Sequence, residues 1–220
     1  MTKGILITGT DTDVGKTFVG CLIAKEMRAS EIKVGVMKPA ESDCRDGKPK
    51  DSLALKEASG TDTDLDIINP YRFEPAIAPT VAAERQGDTI SFDKIKECYH
   101  KIASTHDRVI VEGSGGLLVP IGTGADEGGT IVALALELNL DVIIVSASKL
   151  GVLNHTFLTA YTAAQMGLNI RGIVLNHMNA SSDQSDSYNL DEIKKTGLKV
   201  VSLPYSKDGT TEVSFKEIYE

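Results

Sequence analysis

Near the amino end, a glycine-rich segment carries the lysine and threonine typical of a phosphate-binding loop. Gly9–Thr17 reads GTDTDVGKT, follows an apolar strand-like run and precedes an apolar helical pattern. In such a loop the backbone amides surround phosphate oxygens, the lysine contacts the β- and γ-phosphates, and the threonine hydroxyl binds Mg²⁺. Lys16 and Thr17 are therefore candidate site residues. Gly9 precedes Gly15 by six residues, one more than in the common pattern.

Two aspartates of this loop, Asp11 and Asp13, are unusual neighbours for a polyanion. Like charges about 4 Å apart repel by about 4 kcal/mol at an effective dielectric constant of about 20, so we expect both side chains to turn away from the phosphates. An outward aspartate could face a cationic group, such as a substrate amine. It could equally cap the turn through local hydrogen bonds, and the sequence leaves both interpretations open.

A further acidic residue ends an apolar strand pattern. The run 108–112 ends in Glu112, as in a Walker B strand, whose carboxylate lies beside the loop threonine and shares its Mg²⁺. The turn that follows, Gly113–Gly116, allows the backbone to approach a ligand closely. Asp51 opens another helical pattern at 52–55 and, taken alone, is most simply an N-cap.

Two more polar residues follow predicted strands. Lys38 could neutralise charge that passes between a nucleotide and an acceptor, although a lone lysine at this place is more simply a surface residue. Asn176 could hydrogen-bond a nucleobase edge or close a loop. Each position by itself leaves both interpretations open.

Alternating strand and helix patterns must position these residues. Strands are predicted at Gly4–Thr8, Lys33–Met37, Arg108–Glu112, Asp141–Ser146, Ile170–Asn176 and Lys199–Pro204. Helices are predicted at Lys16–Ala29, Phe92–Thr105, Thr130–Leu138, Val152–Met166 and Leu190–Thr196. Because the strand runs are apolar at consecutive positions, we expect a doubly wound, mostly parallel α/β sheet flanked by helices, similar to P-loop NTPases, with residues 1–220 as a single domain. Ligands then bind at the carboxyl ends of the strands, and the polar segments 42–51 and 180–187 are expected to be surface loops.

Composition excludes several classes of partner. The net charge of −8 and the scattered basic residues argue against general binding to nucleic acid or to an anionic membrane. The longest apolar run, Ile131–Leu136, is far shorter than the ~20 residues of a membrane span, and the amino end carries no leader pattern, so we expect a cytoplasmic protein. The three cysteines are far apart and fit reduced, structural thiols.

Four ordered motifs resemble the dethiobiotin synthetase family. Gly9–Thr17 is similar to the family's G-T-D-T-x-V-G-K-T loop, and the six-residue glycine spacing is the one this family shows. Lys38-Pro39 is similar to its K-P pair, Val111–Gly116 to its V-E-G-[AS]-G-G turn, and Lys149–His155 to its K-L-G-x-x-N-H segment. The resemblance extends over nearly the whole chain.

The resemblance implies a reaction. In the family, ATP and CO₂ convert 7,8-diaminononanoate into dethiobiotin by closing a cyclic urea. One amine and CO₂ form a carbamate, the γ-phosphoryl group activates it as a mixed anhydride, and the second amine closes the ring. ATP as co-substrate and Mg²⁺ as cofactor are implied with it.

The resemblance also implies roles by position. Lys16 binds phosphates, Lys38 stabilises the carbamate and the transferring phosphoryl group, and Thr12 and Ser42 contact the diamine or its carbamate. Lys16, Lys38 and Thr12 form the catalytic set, and Thr17, Asp51 and Glu112 hold Mg²⁺. The nucleotide-binding set comprises Asp13, Val14, Gly15, Lys16, Thr17, Phe18, Asp51, Glu112, Gly113, Ser114, Gly115, Asn176, Pro204, Tyr205 and Ser206. In the family a second subunit closes the pocket, so a homodimer is expected in which Gly151, Val152 and Asn154 serve the neighbour's substrate site.

Two alternatives use the same fold group. A dimeric nucleotide-switch ATPase similar to the MinD and ParA proteins would carry a lysine early in the loop, where this chain has Asp11, and a basic or amphipathic surface for its partner. An amidotransferase-type ligase would usually include a glutaminase domain. The dethiobiotin synthetase resemblance is the preferred interpretation.

Overall fold

Six strands form a parallel sheet, with β1 as one of its inner strands. The computed structural model describes residues 3–122, 129–178 and 186–220. Within them the strands are β1 (Lys3–Gly9), β2 (Val34–Met37), β3 (Ala40–Glu41), β4 (Tyr71–Arg72), β5 (Arg108–Glu112), β6 (Asp141–Ala147), β7 (Ile170–Asn176) and β8 (Val200–Leu203). The order is β2-β5-β1-β6-β7-β8, and every neighbouring pair is parallel. The predicted sheet is confirmed, and the six predicted strands agree with the observed bounds to within one residue.

The strand order places a topological switch beside β1. From β1 the chain runs to β2 at one edge and returns through β5, and it then builds β6, β7 and β8 on the other side. Ligands of doubly wound sheets bind outside the carboxyl ends of the strands at such a switch. The loops after β1, β2 and β5 are therefore the ones that can share a site.

Most helices follow the predicted pattern. They are α1 (Lys16–Ala29), α2 (Lys50–Ser59), α3 (Leu65–Ile68), α4 (Pro79–Arg85), α5 (Phe92–Ala103), α6 (Ile131–Glu137), α7 (Val152–Gln165), α8 (Asp186–Lys194) and α9 (Lys216–Tyr219). The bounds of α1, α5, α6 and α7 agree with the prediction to within two residues. Helix α8 begins four residues before the predicted start, because its first turn is polar and lacks the apolar spacing used to find it.

Apolar side chains cover both faces of the sheet. Leu6, Val111 and Ile144 belong to a cluster that includes residues of α5, α6 and α7. Ile7 and Val145 belong to a second cluster, with residues of α1, α2 and α9. Because helices cover both faces, consecutive strand residues are apolar, as in the sequence pattern.

The two predicted surface loops need correction. In the segment 42–51, Cys44 and Pro49 are buried, Arg45–Gly47 forms a short 3-10 turn, and the last two residues already belong to α2. The sequence did not reveal these features, because Cys44 and Pro49 are single buried residues among polar neighbours. In the segment 180–187, residues 180–185 lie outside the described residues, and the last two begin α8.

A second sheet of two short strands was not predicted. β3 pairs in parallel with β4, Ala40 opposite Tyr71 and Glu41 opposite Arg72. The amide of Phe73 extends this pairing by donating to the carbonyl of Glu41 at 2.8 Å. Strands of two residues carry no periodicity, so only the folded chain reveals them.

The cysteines fit the structural role predicted for them. Cys21, Cys44 and Cys98, all among the described residues, are free thiols. Burial raises the pKa of Cys21 and that of Cys44 to about 11, so both thiols are protonated near neutral pH. In the described ranges, no helix is both long and apolar enough to cross a bilayer.

Candidate active site

The segment Gly9–Thr17, which we call the phosphate loop, joins β1 to α1 and makes backbone hydrogen bonds to neighbouring segments of the sheet edge. Gly15 caps α1 with a left-handed φ of 90°, and a Cβ there would lie 2.3 Å from the side-chain nitrogen of Asn176. Glycine is therefore the residue that this position accepts. The amide of Gly9 donates to the carbonyl of Gly115 at 3.2 Å, and that of Thr10 to the carbonyl of Val145 at 3.0 Å. The loop is thus attached to the turn after β5 and to β6.

Lys16 is held inside this loop. Its side chain is buried, and its Nζ donates to the carbonyl of Asp11 at 3.0 Å. Burial and the nearby ammonium of Lys38 both lower the pKa of Lys16, while the surrounding carboxylates oppose them. The ammonium of Lys16 therefore lies inside the loop, and its contact with phosphates stays a prediction.

The acidic part of the loop faces outward. Asp11, Thr12 and Asp13 are all exposed, and Asp13 has a left-handed φ of 53°. The Oδ1 of Asp11 accepts a hydrogen bond from the amide of Thr12 at 2.7 Å. The local cap is therefore present, and an exposed carboxylate that accepts it can still meet a cation.

A charge cluster, which we define as Lys38, Asp51 and Glu112 with the hydroxyl of Thr17, lies beside the loop. The Nζ of Lys38 is 2.5 Å from Glu112 Oε1 and 3.0 Å from Asp51 Oδ2. The hydroxyl of Thr17 donates to the same Glu112 Oε1 at 2.9 Å. Lys38 is 4% exposed and Glu112 is 1% exposed, so the simpler interpretation of Lys38 as a surface residue is wrong.

Lys38 favours the charged form of both carboxylates in the cluster. Burial alone would lower the pKa of Lys38, but the carboxylates of Glu112 and Asp51 outweigh it and raise that pKa above its ordinary value. Burial would raise the pKa of Asp51, yet the ammonium of Lys38 lowers it. Burial raises the pKa of Glu112, and Lys38 opposes this shift. At 2.5 Å we assign the Lys38–Glu112 contact as an ion pair.

The residues present fit Mg²⁺. In the part of the chain that the structure describes, the second carboxylate oxygen of Glu112, Oε2, is buried without a hydrogen-bond partner. Described residues form no group of three or more His, Cys, Asp or Glu side chains that could hold a metal by themselves. Mg²⁺ needs no such group, because it is usually bound by one or two carboxylates together with substrate phosphates and water.

Asp51 does not cap its own helix. The N-cap of α2 is Pro49, and Asp51 lies in the first turn. Instead, Glu41 accepts the amides of Asp51 and Ser52, at 2.8 and 3.1 Å. The simple N-cap interpretation of Asp51 is therefore wrong. Sequence analysis missed Glu41; the signal available was a lone glutamate three residues after Lys38.

Two further side chains hold the backbone around Lys38: that of Asn69, which sequence analysis missed, and that of Ser114, which it assigned to the nucleotide. The side-chain nitrogen of Asn69 donates to the carbonyl of Lys38 at 2.6 Å and to that of Tyr71 at 3.2 Å. The amide of Lys38 donates to the carbonyl of Ile68 at 2.8 Å. The hydroxyl of Ser114 donates to the carbonyl of Ala40 at 2.8 Å. The segment after β2 is thereby fixed between β4 and the turn after β5.

Asn176, at the end of β7, contacts the segment just before α1, and the loop after β8 passes beside that helix. The side-chain nitrogen of Asn176 donates to the carbonyl of Val14 at 3.0 Å, so the loop-closing interpretation is correct, while a nucleobase contact stays a prediction. Pro204 and Tyr205 are exposed, and Ser206 donates to Asp208 at 2.6 Å. A Cβ at Gly209 would lie 3.6 Å from the ring of Phe18, so this loop passes beside α1.

Helix α7 presents the predicted neighbour-facing residues. Gly151 and Asn154 are exposed, whereas the side chain of Val152 is buried in the core, so only its backbone can face another molecule. Leu150, Leu158 and Tyr161 are 81%, 58% and 66% exposed, and we call these three residues the α7 face.

A groove of about 510 Å³ separates the phosphate loop from α7. Its walls are Thr10–Thr12, Gly115–Pro120, Leu158, Thr159 and Thr162. Ser42 does not line this groove; among the described residues its hydroxyl oxygen is buried without a hydrogen-bond partner. The groove therefore combines apolar walls with the exposed carboxylate of Asp11.

Comparisons with known proteins identify the family. A family model described as an AAA domain matches residues 3–212. An ATP-dependent dethiobiotin synthetase BioD of Anaeromyxobacter dehalogenans (strain 2CP-C) is 41% identical over 208 residues, which cover 94% of this chain and 92% of that protein. Another BioD, from Methanocaldococcus jannaschii, is 34% identical over 220 residues, which cover 97% and 99%. The chain belongs to the dethiobiotin synthetase family.

Solved structures relate this dethiobiotin synthetase family member to P-loop NTPases by fold. A ParA family ATPase from Chlorobium tepidum TLS superposes with a TM-score of 0.55 at 16% identity, covering 94% of this chain and 87% of that chain. The signal recognition particle receptor FtsY from Elizabethkingia anophelis gives 0.52 at 14% identity, covering 99% and 64%. At this identity the likeness shows the fold alone, so the predicted fold class is confirmed and the ParA-like alternative gains no functional support.

Proposed function

We propose that the chain carboxylates 7,8-diaminononanoate with CO₂ and closes the cyclic urea of dethiobiotin, at the expense of ATP. Family membership makes the chain an ATP-dependent ligase that forms carbon–nitrogen bonds, as the sequence predicts. The observation that carries the proposed chemistry is the charge cluster, in which Lys38 lies within 3.0 Å of two carboxylates beside the phosphate loop. A surface lysine would not be arranged in this way.

The proposed reaction has three steps. The lone pair of one amine attacks CO₂, and loss of a proton leaves a carbamate anion. A carbamate oxygen attacks the γ-phosphorus of ATP, the bond to the β–γ bridging oxygen breaks, and ADP leaves. The second amine attacks the carbonyl carbon of the resulting anhydride, so phosphate leaves, a proton is lost and the ring closes.

Charge neutralisation is the main task of the side chains in this proposal. A carbamate approaching ATP brings together anions that repel by about 4 kcal/mol per pair of charges at about 4 Å and an effective dielectric constant of about 20. Lys16, whose ammonium lies in the phosphate loop, offsets charge on the phosphates. Lys38 offsets charge on the carbamate and on the transferring phosphoryl group. Because both are held before substrate arrives, little reorganisation is needed.

Thr17, Asp51 and Glu112 would hold Mg²⁺. The buried, unpartnered oxygen of Glu112 among the described residues supports this role. When bound, the ion would neutralise charge on the β- and γ-phosphates. Lys38 contacts the same two carboxylates, so the residues that hold the metal also orient the catalytic lysine.

The groove suits a chain-like diamine. Leu117 and Leu158 supply apolar surface for the methylenes, and Asp11 supplies a carboxylate for an ammonium group. Thr12 lines the same groove and is assigned to the diamine. Ser42 is assigned to the diamine or its carbamate only by its position in the family pattern, because its buried hydroxyl does not line the groove. The nucleotide is assigned to the loop residues 13–18, to Gly113–Gly115, and to Asn176 with Pro204, Tyr205 and Ser206.

A homodimer completes the proposal. The α7 face and Leu118, which is 61% exposed, form apolar surface beside the groove. A second copy on this surface would remove it from water and bring Gly151, Val152 and Asn154 to the neighbour's groove. The proposal also places the reaction in the cytoplasm, whose reducing conditions suit the three free thiols.

The test is direct. The protein is incubated with Mg-ATP, bicarbonate and the diamine, and we expect equal amounts of phosphate and of a product with the mass of dethiobiotin. An analogue with one amine replaced by hydrogen serves as control, because it can be carboxylated but cannot close the ring. ATP turnover that is indifferent to the diamine would contradict the proposal.

A further inference from the structure

Glu41 is a buried carboxylate with no role in the proposed reaction. It lies in β3 and is 4% exposed. Its Oε1 accepts the amide of Asp51 at 2.8 Å, and its Oε2 accepts the amide and the hydroxyl of Ser52, at 3.1 and 2.5 Å. Both carboxylate oxygens are therefore engaged at the first turn of α2.

The arrangement replaces a missing cap. Pro49, the N-cap residue of α2, has no side-chain acceptor for the first amides of the helix. Glu41 supplies that acceptor from ten residues earlier in the chain. A carboxylate at a helix amino end is favoured by the helix dipole, and its hydrogen bonds are stronger than those of a neutral acceptor.

These bonds also set where Asp51 points. Residues 45–48, in the connection between β3 and α2, are exposed. The hydrogen bonds of Glu41 therefore attach the start of α2, which follows this exposed segment, to β3. The residue whose amide it accepts is the one whose carboxylate contacts Lys38 at 3.0 Å. A change at Glu41 would therefore move a member of the charge cluster without touching substrate.

We propose that Glu41 is a positioning residue for the Asp51 carboxylate, which it orients toward Lys38 and toward the bound divalent cation. The metal part of this inference rests on the proposed function, in which Asp51 is a Mg²⁺ ligand. Outer partners of metal ligands commonly change metal affinity or activity by about 10- to 100-fold when they are replaced.

Glu41→Gln tests this role with little change in volume. Glutamine keeps one acceptor oxygen but places an NH₂ group against a backbone or hydroxyl donor, so at least one hydrogen bond to α2 is lost. Glu26→Gln is the matched control. Glu26 accepts the hydroxyl of Ser214 at 2.5 Å and the amide of Phe215 at 2.7 Å, just before α9. It lies ten residues after Lys16 in α1, about 15 Å along the helix.

The first readout is metal binding, which requires no turnover. Mn²⁺ is titrated into protein with a non-hydrolysable ATP analogue and followed by electron paramagnetic resonance, with a protein-free titration subtracted. We expect Glu41→Gln to weaken Mn²⁺ binding about 10-fold and Glu26→Gln to leave it within twofold, even where both lower Tm. Steady-state assays should show a raised Mg²⁺ requirement with an unchanged KM for the diamine.

Equal Mn²⁺ affinity in the wild type and Glu41→Gln would overturn the inference, as would equal losses in both variants. If Glu41→Gln does not fold, Glu41→Asp takes its place. Its side chain is one methylene shorter, so its carboxylate lies farther from α2, and it must show the same loss of Mn²⁺ affinity. A wild type that binds Mn²⁺ but makes no dethiobiotin would contradict the proposed reaction, while a loss confined to the Glu41 variant would still support the positioning role.

Discussion

Lys38 and Glu112 of the charge cluster are almost completely buried, whereas Leu150 and Tyr161 of the α7 face are mostly exposed. The charge cluster is held by hydrogen bonds from its own chain, including those of Asn69 and Glu41. In the proposed homodimer, a second copy covers the apolar surface of the α7 face. Changes in the cluster should therefore act at every protein concentration, and changes in the α7 face should act through association.

The largest effect is expected at Lys16. Lys16→Ala removes the ammonium from the phosphate loop, so nucleotide affinity should fall at least about 100-fold and turnover should become undetectable. Calorimetric nucleotide titration and the phosphate assay measure the two effects. Lys33→Ala, an exposed lysine just before β2, is the control and should stay within twofold of the wild type. Normal nucleotide affinity in Lys16→Ala would break the assignment of the loop.

Lys38→Ala should separate binding from chemistry. We expect kcat to fall about 1000-fold while nucleotide affinity stays within about threefold, because the proposed role of Lys38 is to stabilise the transferring group. The variant should also unfold more easily, by about 3 kcal/mol, since Glu112 is left buried without its cation. Urea titration measures that loss. A nucleotide-affinity loss equal to that of Lys16→Ala would contradict the division of roles between the two lysines.

Tyr161→Glu tests whether the α7 face is the surface through which two copies associate. A charge in a covered apolar surface should weaken self-association by about 30-fold, which corresponds to about 2 kcal/mol. Analytical ultracentrifugation measures the dimer, and activity should recover as protein concentration is raised. Tyr188→Glu is the control, because Tyr188 lies in α8 with a similar exposure, 69% against 66%. Equal behaviour of both variants would argue against the α7 face as the interface.

The smallest effect distinguishes the two interpretations of Asp11. If its carboxylate faces a substrate amine, Asp11→Asn should raise the KM for the diamine about threefold, the size expected for an exposed ion pair. Asp88→Asn is matched, because Asp88 also accepts the amide of the next residue at 2.7 Å. An unchanged KM in Asp11→Asn would favour the local cap as the role of this carboxylate.

Much of the fold was predictable because its signals are local. Consecutive apolar residues located β1, β5, β6 and β7, and a single amphipathic run located α1. The elements missed, β3, β4, α3, α4 and α9, are two to seven residues long and carry too little periodicity. Their stability comes from contacts with distant segments, such as the pairing of Glu41 with Arg72.

The candidate site likewise contains residues that local spacing reveals and residues whose role depends on distant partners. Gly9–Thr17 and Glu112 were found from spacing, because a strand, a turn and a helix start follow one another in the chain. Asp51 was taken for a cap and Lys38 for a surface lysine when each was considered alone. Both interpretations failed because the partners of these residues are 10 and 74 positions away, as in the Asp51–Glu41 and Lys38–Glu112 contacts.

By itself, the sequence determined the sheet, the phosphate loop and the family, since those depend on residue types at short spacings. Only the tertiary structure decided which charges meet in the cluster and which carboxylate caps α2. The reason is physical: a buried charge is stable only beside its partner, and that partner is brought close by sheet order and loop path rather than by neighbouring sequence.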